Sequence, residues 1–127
     1  MTRLLVAAFL IAHGIVHAAL WATPMDPDKT APFDPSYSWA LAAGHVAAAP
    51  MRSASVAFAW VSAVLYIAAG VSVAVDAAAW SALAAVGAVV GLALKGVWFN
   101  RWLSFGLALD VAVLVAIAQG WPPSVAG

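Results

Sequence analysis

The sequence predicts an all-α membrane protein: an antiparallel four-transmembrane-helix bundle with a long helix 1–2 loop containing a short interfacial or re-entrant helix. Three observations predict it. Hydrophobic residues make up 66% of the chain. Charged residues make up only 8%, against roughly 25% in ordinary soluble domains. The apolar residues also fall into four runs, each close to the ~20 residues that cross a bilayer. At 127 residues the chain makes one integral membrane domain, residues 1–127.

The first run covers about residues 3–22. Arg3 followed by an apolar stretch has the look of a signal peptide. The stretch is long for one, however, and no good Ala-x-Ala site follows, so a retained helix is expected. The second run, about 54–75, lies between Arg52 and Asp76. The third covers about 77–99, and the fourth about 102–119, closed by Gly120 and the pair Pro122-Pro123. Trp21, Trp80, Trp98, Trp102 and Trp121 mark the ends of the runs, as an aromatic belt requires. Trp60 alone lies well inside one.

The connections after the second and third helices are very short, so those helices are antiparallel neighbours. The connection of residues 23–53 is different. Its first part is rich in Pro and Asp and reads as an extended, turn-rich loop, with Asp26, Asp28, Lys29 and Asp34 solvated. Its second part, Tyr37–Ala49, is apolar, with Ser36 as a candidate N-cap. It is too short to span, and Pro50 is expected to end or kink it. A loop this long in a compact protein is often a lid.

Small residues indicate close packing. Gly87 and Gly91 form a Gly-x-x-x-Gly motif in the third helix, and Lys95 continues that face. Gly106 shares a face with Asp110 in the fourth. Loop-side Lys29, Arg52, Arg101 and Lys95 outnumber Arg3 on the other side, which favours cytoplasmic loops.

Composition excludes several classes. The net charge is zero and basic residues do not cluster, which argues against nucleic acid and against a polybasic lipid anchor. There is no Cys, so disulfides, thiolate catalysis and Cys-bound clusters are excluded.

His13 and His17 are the residues that need explaining. They stand four apart on one face of the first apolar run. Ionisable groups in hydrocarbon are costly and face a bundle interior or a cavity. Counted at 1.5 Å per residue from the loop-side helix ends, His17 lies about 8 Å deep, His13 about 14 Å and Asp110 about 12 Å. By the same rise Lys95 lies about 6 Å deep, and Trp60 and Ser62 about 9–12 Å. All fall in one half of the bundle. This predicts a loop-side polar pocket with His13, His17 and Asp110 as its floor and candidate catalytic residues. Lys95, Arg101 and Asn100 are expected nearer the mouth, and Tyr37, Trp39 and His45 as cover. Trp60, Tyr66, Trp98 and Phe99 are aromatic candidates for its walls. Trp60 and Tyr66 fall on different faces of the second helix, so only one of them can face the pocket. The candidate ligand-binding set is Trp60, Lys95, Trp98, Arg101, Trp39 and His45.

A neutral histidine oriented by a carboxylate can move protons near neutral pH. In an apolar pocket that suits isomerisation, cyclisation or epoxide opening on a small lipophilic molecule. Three other readings stand beside it. The His pair and Asp110 can be interhelical glue in a non-catalytic subunit or anchor of a larger membrane complex. They can hold a divalent metal, although the His-Glu-x-x-His pattern is absent. Bis-His haem is disfavoured, because the last three helices contain no histidine. A dimeric four-helix exporter is disfavoured too, because the first helix has no acidic residue. No cofactor is required. The expected partners are the lipid bilayer, a small lipophilic ligand, and a second copy or a larger complex.

Arg3-Leu4-Leu5 followed by Phe9-Leu10-Ile11-Ala12-His13-Gly14 resembles the opening of small bacterial four-helix membrane proteins of the DoxX-like kind. The resemblance extends to chain length and the four-helix plan. It implies a protein of the bacterial cytoplasmic membrane and no particular reaction, and it does not account for His17 or Asp110.

Overall fold

The computed structural model describes residues 1–24, 28–29 and 33–126. It is an all-helical bundle in the order α1 (Thr2–Ala22), α2 (Trp39–Ala43), α3 (Ala48–Ala74), α4 (Trp80–Val97), a 3-10 turn (Arg101–Leu103), α5 (Ser104–Ala118) and α6 (Pro123–Ala126). Four helices are long and apolar enough to cross a membrane: α1, α3, α4, and α5 with its preceding turn. Their outer faces carry large exposed apolar side chains, among them Leu4, Leu5, Val64, Val89 and Phe105. Water would penalise that surface.

The helices pack in sequence order, α1 on α3, α3 on α4 and α4 on α5. The tightest contact is α1 against α3. A β-carbon on Gly14 would lie 2.8 Å from the Ala63 carbonyl oxygen, and one on Gly70 would lie 2.7 Å from that of Ala7. These two notches let the backbones approach as small-residue membrane interfaces do. Two apolar clusters fill the interior. One joins Leu10, Tyr66, Val73, Trp80 and Val113. The other joins Trp21, Phe33, Leu94, Trp98 and Leu103.

The long connection departs from expectation in two places. Ser36 does not cap a helix: its N–H is held by the Asp34 carboxylate in a turn. The cap is Ser38, whose hydroxyl oxygen accepts from Leu41 N–H and whose O–H donates to the Val97 carbonyl at 2.6 Å. The resulting helix has five residues and stops at Gly44, where His45 takes φ 59°. The next helix then begins at Ala48 rather than near Ala54. Pro50 sits in the first turn of this helix instead of ending the previous one, because there its missing N–H has no intrahelical acceptor to lose. Helix α3 is thus 27 residues long, about 40 Å by rise per residue. Asp26 lies outside the described residues.

The loop is strapped to the bundle. Phe33 packs on Trp21 with ring centroids 4.8 Å apart, and Ser55 Oγ donates to the Pro35 carbonyl. At the opposite end Trp80 Nε1 donates to the Val125 carbonyl and fixes α6.

Candidate functional site

All four long helices converge on one carboxylate. Asp110, on α5, is fully buried. Its Oδ1 accepts from Tyr66 Oη of α3 at 2.7 Å and from His13 Nε2 of α1 at 2.8 Å. Its Oδ2 accepts from Lys95 Nζ of α4 at 2.7 Å. A buried charge needs this kind of partnership. Lys95 supplies the opposite charge, and three donors satisfy the two oxygens.

The second histidine extends the network. His17 Nδ1 lies 3.0 Å from the His13 carbonyl oxygen, one turn back on the same helix. A carbonyl only accepts, so Nδ1 carries the proton. The Nε2 lone pair of His17 then accepts from Lys95 Nζ at 2.6 Å. An ionised Asp110 makes His13 donate from Nε2, and in the neutral ring its Nδ1 keeps a lone pair. Two of the three N–H groups of the Lys95 ammonium are taken by His17 and Asp110, leaving a third. The His13 ring meets His17 and Tyr66 edge-on at 4.7 Å each, and Phe9 stacks on it at 5.7 Å.

Glycine makes room for this crowding. A β-carbon on Gly91 would lie 2.6 Å from Asp110 Oδ2 and 2.9 Å from His17 Nε2. Any side chain there would push the carboxylate and the imidazole apart. Gly106 does the same for Lys95, whose stem crosses from α4 over α5, 2.9 Å from where a Gly106 β-carbon would sit.

The network forms part of the wall of a cavity of about 590 Å³ between α1 and α5. Besides the indoles of Trp21 and Trp102, its polar lining is His13, His17 and Lys95. Asp110 lies behind them. Phe9, Val16, Leu20, Phe105 and Leu109 are among its apolar walls. A second cavity of about 530 Å³ continues along the same pair of helices toward Leu5, Ala112, Ala116 and Trp121, and Phe9 borders both.

His13, His17, Asp110 and Lys95 therefore meet. The other candidates do not join them. Trp60, Trp39, His45 and Arg101 are exposed. Trp39 donates its indole N–H to the Gly96 carbonyl. Trp98 is buried in the apolar cluster around Trp21, and its Nε1 has no partner among the described residues. The long loop does not cover the cavity: among the described residues no loop side chain lines it. It opens sideways between α1 and α5. Tyr66, rather than Trp60, turns inward. The available signal was its place on the small-residue face Ala59, Ser62, Ala63, Tyr66, Ala69, Gly70, all buried.

His13, His17 and Asp110 offer ligand atoms within 4.8 Å of one another, close enough for a metal ion. Lys95 Nζ already stands between His17 Nε2 and Asp110 Oδ2, at 2.6 and 2.7 Å. A divalent ion there would have to displace the ammonium, so the cluster carries its own cation. Comparison with protein-family models, curated proteins and solved structures finds no match.

Proposed function

We propose that this chain is an integral membrane protein that binds a small lipophilic molecule between α1 and α5 and moves a proton on it. The location proposed is the bacterial cytoplasmic membrane, on the first-segment resemblance. The observation that carries the functional reading is the cavity itself: apolar walls of a size suited to a small ligand, with a hydrogen-bonded acid–base cluster at one place in them. His13 Nδ1 is the base. Asp110 fixes its tautomer and stabilises the imidazolium that forms. The spare N–H of Lys95 holds a ligand oxygen and stabilises negative charge that develops there. The proton leaves the ligand for His13 and the electron pair moves to the held oxygen, so the step balances without another reactant.

Ala12→Phe tests this. Ala12 is exposed and lines the cavity without touching the network. Wild-type protein purified in mild detergent should carry a stoichiometric lipophilic molecule, detected by mass spectrometry of its extract. The variant should lose that molecule and keep its thermal stability. Equal extracts from two equally stable proteins would reject the reading.

A second reading has its own observation. One carboxylate joined to all four long helices is also what a non-catalytic subunit needs to hold its fold. A subunit should co-purify with a fixed protein partner and carry no small molecule.

A further inference from the structure

The second cavity plays no part in the acid–base step, yet it continues the first along the same seam. From the geometry of the two together, and resting on the acid–base reading, we infer that the ligand is a single-chain lipid with a neutral carbonyl head. The head lies at Lys95 and His13, and the chain runs past Phe9 into the second cavity.

Length argues for one chain. Thr2, Leu5 and Val6 line the second cavity, and His13 lines the first. From His13 to Thr2 the seam covers eleven residues of α1, about 16 Å at 1.5 Å per residue. That is about half of a ~30 Å hydrocarbon core, a length that one acyl chain fills. The walls there are apolar: Leu10, Ala112, Val113, Ala116 and Ile117.

Charge argues for a neutral head. Asp110 and Lys95 cancel, and neither histidine needs a charge to make its bonds. A phosphate or carboxylate would bring an unbalanced charge into apolar walls, beside Asp110, and a buried charge without a partner is costly. What the cluster offers is one spare donor, on Lys95, and one lone pair, on His13. An oxygen acceptor with an acidic C–H beside it matches that pair, and a carbonyl with its α-carbon is such a group. Phe9, stacked on His13 and bordering both cavities, marks where head becomes tail.

The test uses full-length protein in lipid nanodiscs. The photoprobe is a methyl ketone of palmitate length with a diazirine on its terminal carbon. Peptide mapping should place the crosslinks on Leu5, Val6, Ala112 and Ala116. An octane-length version should stop short and label Phe9 and Leu109 instead. Unlabelled ketone should abolish the long-probe labelling; the matching alkane and alcohol should not. Ala112→Phe should shift the crosslinks out of the second cavity. It sits on the outer surface and leaves the cluster intact. Labelling spread over Val61, Val64, Val86 and Val89, on the exposed faces of α3 and α4, would be ordinary lipid contact and would overturn the inference. Competition by the alcohol as strong as by the ketone would overturn the carbonyl head. If the inference fails in either way while Ala12→Phe still strips a bound lipophile, the pocket survives and only this ligand class falls.

Discussion

Helix α1 meets its two neighbours in opposite ways. Against α3 it is close-packed and apolar, notched by Gly14 and Gly70 so that one backbone lies almost on the other. Against α5 it stands off. Two cavities separate the helices, and His13 donating to Asp110 is the buried polar bridge across them. The first interface gains from dispersion over many contacts, the term available where lipid tails are as apolar as the protein. The second gives up that packing and replaces it with a few strong, directional bonds in a low-dielectric setting. An interface of the first kind excludes ligands. One of the second kind leaves room for them and places polar atoms at the edge of the room. The difference assigns structure to one side of α1 and chemistry to the other.

The contrast can be broken most forcefully at Asp110. Asp110→Asn leaves the Lys95 charge buried without its counter-charge and should cost about 3–5 kcal/mol of stability, read from denaturant unfolding in detergent. Adding Lys95→Met should restore much of the loss, because the amide oxygen introduced at position 110 can still accept from Tyr66 and His13 while no charge remains. The double variant should nonetheless bind no ligand. A single variant as stable as wild type would mean that the ion pair does not hold the seam.

Gly70→Val attacks the other side. Its branches would strike the Ala7 carbonyl and Ile11, and overpacking of this kind costs about 1–3 kcal/mol. The bound lipophile should persist in whatever fraction stays folded, since Gly70 lies across α1 from the seam. Loss of ligand at unchanged stability would show that the two sides are not separable.

Tyr66→Phe should have the smallest effect, about 0.5–1.5 kcal/mol, the net worth of one hydrogen bond. Asp110 keeps His13 and Lys95, and the ring still packs against Ala69 and Val73 in the apolar cluster. A loss as large as that of Asp110→Asn would make the Tyr66 hydroxyl, rather than the ion pair, the centre of the cluster.

The legible part of the site was the part that broke a pattern. His13, His17 and Asp110 stand out because imidazole and carboxylate are costly in apolar helices, and depth along the helix follows from rise alone. Lys95 was placed too near the mouth, since its long stem can reach up or inward equally well. The choice of Tyr66 over Trp60 left only a faint trace, the small residues that share its face: α3 has no strongly polar face to show which side turns in. The supposed cover of Tyr37, Trp39 and His45 failed for a related reason. A loop's length gives its reach, but Ser38 and Trp39 are bonded to the end of α4, and that holds the loop away from the α1–α5 opening.

Composition and run length by themselves determined four helices long and apolar enough to span a membrane, because a bilayer's thickness and its lack of hydrogen-bonding solvent leave few alternatives. They also determined that three ionisable groups share one depth. Only the tertiary structure decided the rotation of each helix about its own axis. That rotation put Gly91 against the carboxylate, carried Lys95 across Gly106, and left the gap between α1 and α5 rather than beneath the loop. Axial rotation depends on how small and large side chains interlock across an interface, and a helix uniformly apolar around its circumference does not encode it locally.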